Sequence, residues 1–181
     1  MRICLSAIVM LLWITGATAQ SPYAGEQERR IKALSEQRVA GLKSGRGLGY
    51  AKAAELNGYP GPMHVLKLAD ELDLDDDQRR RTQALFETMR ERASALGAEL
   101  VAAEAELDEA FADGGISRQR LAELVSKSAR IEGQLRQTHL QAHLEQAELL
   151  DEAQIETYVR LRGYKGENDH SASHSHRHGG D

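Results

Sequence analysis

Residues 117–150 read SRQRLAELVSKSARIEGQLRQTHLQAHLEQAELL, and this stretch decides the fold of the chain. At about 100° per residue of an α-helix, its apolar side chains fall into two stripes. The first stripe has the spacing of a helix packed lengthwise on another helix, and contains Leu121, Leu124, Val125, Ser128, Ile131, Leu135, Ala142 and Leu149. The second stripe lies roughly a quarter turn away, and contains Ala122, Ala129, Gly133, Leu140, Leu144 and Ala147. Two apolar stripes on one helix predict two packing partners.

A second long helix is predicted directly before this one. The sequence LDDDQ at residues 74–78 has the form of a capping box, in which an aspartate caps the helix and the glutamine reaches back. This helix is predicted to end near Ala112, because the glycines of Asp113-Gly114-Gly115 favour helix termination and a tight turn. Its apolar face is predicted to contain Leu85, Met89, Leu96, Leu100, Ala103, Leu107 and Phe111. The two helices are expected to fold back as an antiparallel hairpin about 50 Å long.

Shorter elements are predicted before the hairpin. Residues 26–43 have the pattern of a weakly amphipathic helix, with Ile31, Leu34 and Leu42 on its apolar side. Residues 44–62 contain five glycines and two prolines, which is typical of a loop or hinge. Residues 63–72 predict a short helix whose inward side chains are Val65, Leu68, Ala69 and Leu72.

The chain after the hairpin contains a second helix-start motif like the one at residues 74–78. The sequence LDEAQ at residues 150–154 is a second capping box, and it predicts a last short helix with Ile155, Val159 and Leu161 inward. The following residues are polar and histidine-rich, so they are predicted to be disordered. The expected organisation is a signal peptide at 1–19, an N-terminal helix and Gly/Pro-rich loop at 20–62, a hairpin domain at 63–164 and a tail at 165–181.

The first residues have the pattern of a secretory signal. Met1-Arg2 precedes a mostly apolar run at residues 3–14, and Ala17-Thr18-Ala19 offers a cleavage site. Cleavage predicts export to the periplasm with no membrane span left in the mature chain. The alternative is an uncleaved anchor, although a spanning helix needs about 20 apolar residues. Cleavage would remove Cys4, the single cysteine, and with it any disulfide or thiolate ligand.

Composition and charge argue against several function classes. A formal net charge of −5 is not that of a nucleic-acid binder. An aromatic content of 4% and three prolines favour an elongated all-α protein over a sheet. The sequence shows no nucleophile–base pattern, phosphate-binding loop or cofactor motif, so we expect a protein that is not an enzyme and requires no cofactor.

Two histidines mark where a metal ion could bind. His139 and His143 are four residues apart on the long helix, so their rings project from one face, one turn apart. The alternative is a pair of packing histidines in a metal-free helix interface. The expected hairpin register places them opposite residues near 90 and 86, where Met89 is either a soft ligand suited to copper or plain core. His64, or a ligand from a second subunit, could complete the site.

The tail holds four more histidines, which could bind zinc, copper or nickel loosely as a flexible chelator. They are His170, His174, His176 and His178. The alternative is a merely polar tail. The spacing differs from the consecutive histidines of an expression tag. Such a tail would collect metal without building a defined site.

The segments at 74–78 and 150–154 resemble the paired Leu-Thr-x-x-Gln motifs of the Spy/CpxP family of periplasmic proteins. That family also includes zinc-resistance-associated proteins and heavy-metal sensors. Both segments have aspartate where the family motif has threonine, and either residue can cap a helix. The spacing of the segments, the export signal and the histidine-bearing long helix also match, so the resemblance covers roughly residues 63–164.

The resemblance implies a hooked helical hairpin that pairs with a second copy as an antiparallel, cradle-shaped homodimer. It implies an ATP-independent chaperone of the envelope-stress response, with unfolded clients or an envelope-stress sensor as partners. The second stripe, with Leu140, Leu144 and Ala147, is then the expected dimer or client surface. The alternative is a sensor or resistance protein for zinc, copper or nickel with an ordered site at His139 and His143. A third hypothesis is a purely structural helical spacer.

Overall fold

A computed structural model describes residues 21–164, and every regular element within them is helical. A 3₁₀ turn at Glu26–Glu28 precedes six α-helices. These are α1 (Glu36–Lys43), α2 (Lys52–Glu55), α3 (Pro62–Lys67), α4 (Asp76–Ala112), α5 (Arg118–Leu149) and α6 (Glu152–Leu161). The long helices α4 and α5 pack on each other, which confirms the predicted all-α hairpin with short flanking helices. The predicted signal peptide and histidine-rich tail lie outside the described residues.

Both hairpin helices begin at the predicted caps. The Asp75 carboxylate accepts from the Gln78 backbone N–H at 2.7 Å, and the Asp75 N–H donates to Gln78 Oε1 at 3.2 Å. Helix α4 ends at Ala112, and Gly114 follows in a left-handed conformation with φ 72°. The Ser117 hydroxyl then accepts from the Arg120 N–H at 3.1 Å and starts α5. Local capping chemistry therefore sets the length of the hairpin.

Two apolar clusters hold the fold together, one towards each end of the hairpin. The cluster nearer the Gly114 turn joins the N-terminal segment to both long helices, and contains Ile31, Leu34, Leu42, Tyr50, Ala93, Leu100, Val101, Ala103, Ile131 and Leu135. The cluster at the other end joins the chain around α3 to α6, and contains Val65, Ala69, Leu72, Leu74, Leu150 and Tyr158. The N-terminal segment is therefore part of the core.

The structure corrects the predicted helix at residues 26–43. Only Glu36–Lys43 is α-helical, because the Ser35 hydroxyl accepts from the Arg38 N–H and starts the helix there. Ile31 and Leu34 are nevertheless buried, and they reach the core from irregular backbone. The predicted loop at 44–62 contains the short helix α2, and the predicted helix at 63–72 is shorter than expected.

Several side chains predicted to face inward lie at the surface. Phe111 is 56% exposed, because it lies near the turn, beyond Asp108, to which Lys32 of the N-terminal segment binds. Val125 is 48% exposed, whereas its neighbour Leu124 is buried. Leu161 is exposed as well, and the buried residue of α6 is Tyr158.

The second stripe of α5 stays largely uncovered. Leu144 is 52% exposed, Leu140 and Ala147 are half-buried, and the smaller residues of the stripe are exposed. The contacts within the chain thus bury most of the first stripe of α5 and leave the second stripe largely exposed to solvent. Within residues 21–164, no helix combines the length and apolar character needed to cross a membrane.

Candidate functional site

The two capping boxes meet through their glutamines. Gln78 Nε2 donates to Gln154 Oε1 at 2.8 Å, and Gln154 Nε2 donates to Gln78 Oε1 at 2.9 Å. The same amide nitrogens donate to the carbonyls of Leu149 and Leu72, at 3.0 and 3.2 Å. We call this pair the glutamine bridge. It ties the start of α4 to the junction of α5 and α6, so each glutamine stabilises its own helix start and the opposite one.

A cavity of about 810 Å³ lies between the segment around α2, helix α3 and the middle of the hairpin. Four residues singled out from the sequence line it: His64, Met89, His139 and His143. The antiparallel register brings Met89 to the same wall as the two α5 histidines, as the position of the Gly114 turn predicts. The structure therefore brings the predicted helical ligands to one cavity.

The His143 ring is held in a defined tautomer. Its Nδ1 lies 2.9 Å from the carbonyl oxygen of Tyr59, and because a carbonyl only accepts, Nδ1 carries the proton. In the neutral ring, Nε2 then has a free lone pair. A side chain at Gly61 would place its Cβ 3.0 Å from Nε2 and 2.8 Å from Cε1, so glycine allows the backbone to pass close to the ring.

His139 is more deeply buried, at 5% exposure. Its ring stacks on Tyr50 with centroids 6.1 Å apart and planes 13° from parallel. Its Nε2 has no hydrogen-bond partner within the described residues. Burial lowers the pKa of His139, and the nearby His143 lowers it further. A neutral imidazole is the form that binds metal, and an unpartnered buried nitrogen is uncommon in proteins.

A group of polar side chains around one carboxylate, that of Glu55, lies beside these histidines, and the sequence did not predict it. Glu55 accepts from the hydroxyls of Tyr158 and Tyr164 at 2.8 and 2.7 Å, and from Arg162 Nε at 3.1 Å. His64 Nδ1 lies 3.3 Å from the same oxygen. Burial raises the pKa of Glu55, but the hydrogen bonds from His64, Tyr164 and Tyr158 together outweigh burial and lower it to about 2. We call this set the Glu55 cluster.

The Glu55 cluster connects α2, α3 and the C-terminal end of the described chain. Its members are far apart in sequence, since Tyr158 and Glu55 are separated by 103 residues. Burial raises the pKa of Tyr158, and its hydrogen bond to Glu55 adds to that effect. No local motif marks such a cluster, because each residue is an ordinary surface or core residue of its own helix.

The donor set determines which metals the cavity could hold. Among residues 21–164, no group of three or more His, Cys, Asp or Glu side chains is arranged to hold a metal ion. His64 is engaged with Glu55, so His139 and His143 remain as nitrogen donors. Met89 lines the same cavity and could supply a thioether sulfur. Imidazole and thioether together suit a soft ion such as copper(I) better than a hard one.

Comparison with known proteins gives no match, whether with protein-family models, curated proteins or solved structures. The class that the structure defines is an all-α protein built on a long helical hairpin. The resemblance to the Spy/CpxP family rests on the two capping-box segments.

Proposed function

We propose that the chain is a periplasmic, ATP-independent chaperone-like protein of envelope stress, not an enzyme, which also binds transition metals. The observation that carries the proposal is the uncovered second stripe of α5, in which Leu144 is 52% exposed. An apolar strip on a rigid helix gives unfolded segments a shallow surface without a fixed pocket shape. The same strip is where a second copy would pack in the antiparallel homodimer that the resemblance implies.

The hairpin that carries this strip is stabilised by contacts within the chain and needs no client to fold. Both apolar clusters, the glutamine bridge and the Glu55 cluster lie within one chain. The strip is therefore already formed in the single chain, and neither a client nor a second copy needs to reorganise the hairpin to bind it.

Light scattering of an unrelated, chemically denatured protein tests this function. We expect residues 20–181 to suppress its aggregation at substoichiometric ratios without ATP. The double variant Leu140→Ser/Leu144→Ser is expected to lose most of this effect, whereas Leu56→Ser is not, because Leu56 is exposed but lies outside α5. No suppression by the wild-type chain at large molar excess would overturn the proposal.

A second candidate function is a metal sensor or resistance protein, favoured by the unpartnered His139 Nε2 and its neighbours in the cavity. Thermal unfolding with and without zinc, nickel or copper(I) tests it, in residues 20–181 and in a chain ending at Tyr164. We expect metal to raise the Tm of both chains. A shift that needs the tail would mean that residues 165–181 contribute to the site, and no shift with any metal would exclude an ordered site at His139 and His143.

The variant His139→Phe separates a ligand from a packing residue. Phenylalanine can keep the stack on Tyr50 and removes a buried nitrogen without a partner, so the metal-free protein should be at least as stable as wild type. If His139 is a ligand, the metal-induced rise in Tm disappears. An unchanged rise would show that His139 only packs.

A further inference from the structure

The cavity beside the histidines has a positively charged rim. Four basic side chains line it: Arg46, Lys52, Lys67 and Arg90. The only acidic side chain in the described lining is Glu55. This local excess of positive charge runs against the formal net charge of −5 for the whole chain. The cavity therefore differs electrostatically from the rest of the molecule.

These four cations have no internal partner. Within residues 21–164 none of them forms an ion pair or a side-chain hydrogen bond, whereas Arg79 and Lys127 pair with nearby acids. The charge of Glu55 is balanced by Arg162, whose Nε donates to Glu55 Oε1 at 3.1 Å, and not by any of these four cations. Unpaired cations around the mouth of a cavity attract an anion and raise its local concentration.

The interior of the same cavity is mainly apolar. Leu48, Met63, Phe86, Met89 and Ala142 contribute to its walls. A volume of about 810 Å³ lies within the range of small-molecule sites and exceeds what a bare inorganic anion needs. The occupant that matches both features has an apolar body and one negatively charged end.

We propose that this cavity binds a single-chain alkyl carboxylate of medium length. Its hydrocarbon tail lies against Phe86, Met89 and Ala142, and its carboxylate is held at the rim by basic side chains. Arg46 precedes α2, Lys52 begins α2, Lys67 ends α3 and Arg90 lies in α4, so the cations reach the cavity from several elements of the fold. Charge-assisted hydrogen bonds from lysine or arginine are the usual way to hold a carboxylate.

Calorimetric titration of decanoate below its micellar concentration tests the proposal. The protein is residues 20–181, stripped of metal with a chelator and then desalted, so that histidine–metal chemistry does not contribute. We expect saturable one-to-one binding. Each buried methylene strengthens binding about fourfold, so octanoate, with two methylenes fewer, should bind roughly 15-fold more weakly and acetate not measurably. Decyltrimethylammonium, with the same tail and the opposite charge, should not bind.

Variants of the rim decide whether the charge is responsible. Lys67→Gln/Arg90→Gln should weaken decanoate binding at least about tenfold, since charge-assisted contacts are lost. Arg130→Gln is the matched control, because Arg130 is exposed on α5, has no ion pair within residues 21–164 and lies outside the cavity lining. Arg46→Gln/Lys52→Gln provides a second rim pair if the first does not fold. The far-ultraviolet circular dichroism of each variant reports folding.

Three outcomes would overturn the proposal. The first is equal binding of the anionic and cationic amphiphiles, and the second is decanoate binding that neither rim pair weakens. The third is saturable binding of decyl phosphate or of an acidic apolar peptide with none of decanoate. Because the titration uses metal-free protein and no client, its failure would leave the chaperone and metal proposals standing, and their failure would not affect it.

Discussion

The choice of glutamine at positions 78 and 154 follows from what an amide can do. In an ordinary capping box the third residue only has to accept a hydrogen bond from the cap, and glutamate serves as well as glutamine. Here each side chain accepts from its own cap and also donates to the opposite helix junction. Of the two side chains that complete a capping box, only glutamine has both a donor and an acceptor, so glutamate cannot replace it in the bridge.

The substitution Gln78→Glu tests this requirement. The carboxylate keeps the box with Asp75 but cannot donate to Leu149 or Gln154, so we expect a loss of about 1–3 kcal/mol in the free energy of unfolding. Urea unfolding followed by circular dichroism at pH 7 measures it. Gln137→Glu, an exposed change on α5, should shift stability by less than about 0.5 kcal/mol. Equal effects of the two changes would show that the bridge contributes nothing specific.

Glu55 makes the stability of the fold depend on acid pH. Its pKa is held at about 2, below the ordinary value of 4.5, so on acidification the unfolded chain takes up this proton before the folded chain does. The contribution is complete above about pH 4.5 and is lost as the pH falls towards 2. At 1.36 kcal/mol per pKa unit it amounts to about 3 kcal/mol.

The variant Glu55→Gln should therefore be less stable at pH 7 and show a flatter stability profile between pH 4.5 and 2. Urea unfolding at a series of pH values measures both effects. Glu71→Gln, exposed and without an ion pair in the described chain, should keep the wild-type profile. A Glu55→Gln profile parallel to that of wild type would mean that the cluster does not hold this carboxylate charged.

At the scale of the helices, the contact of α1 with α4 depends on a glycine. A Cβ built on Gly97 would lie 2.1 Å from the carbonyl oxygen of Leu42, which is backbone and cannot rotate away. Gly133 is also inside a long helix, but nothing lies within 4 Å of its Cβ position. Both glycines are therefore helical, but Gly97 is tightly packed against α1 whereas Gly133 has free space around it.

The pair Gly97→Ala and Gly133→Ala should change stability in opposite directions. Alanine favours a helix by about 1 kcal/mol over glycine, so Gly133→Ala should stabilise the protein by roughly that amount. At Gly97 the clash outweighs this gain, and we expect a net loss of about 1–3 kcal/mol as α1 moves away. Thermal and urea unfolding of both variants measure the difference. Stabilisation by Gly97→Ala would contradict the close packing of α1.

Helix bounds were predictable wherever a cap or a turn sets them locally. The starts of α4, α5 and α6 follow from Asp75, Ser117 and Asp151, which bond to backbone only three residues away. The start of α1 at Ser35 was missed, because Ile31 and Leu34 extend the helical spacing of apolar residues upstream of the cap. Apolar periodicity shows which residues are buried but does not show whether their backbone is helical.

The candidate site likewise has one part that the sequence predicts and one part that it does not. The common location of Met89, His139 and His143 follows from one turn and the antiparallel register, both visible in the sequence. The Glu55 cluster was not predictable, because its contacts join residues more than 100 positions apart. They depend on how α6 folds back over α2 and α3, and no spacing rule encodes that.

At the scale of the whole molecule, the cavity lies between the two apolar clusters that hold the fold together. One apolar cluster joins residues up to Tyr50 to residues 93–103 and 131–135 of the hairpin, and the other lies near the glutamine bridge. Between them the hairpin places His139 and His143, and nearby the buried pair Gln146 and Thr82, joined at 3.2 Å. Buried polar atoms without a hydrogen-bond partner cost stability, and within the described residues His139 Nε2 and Gln146 Oε1 are such atoms.

Assembly of two copies would cover the second stripe of α5, which the single chain leaves open. We expect residues 20–181 to sediment as a dimer at micromolar concentration, and Leu140→Asp/Leu144→Asp to sediment as a monomer, since a buried unpaired carboxylate strongly disfavours an interface. Leu56→Asp should stay dimeric, because Leu56 is exposed outside α5. Sedimentation velocity over a concentration series, with circular dichroism to confirm folding, measures this. A dimer that survives the double change would place the interface elsewhere on the hairpin, and a monomeric wild type would leave the stripe to clients alone.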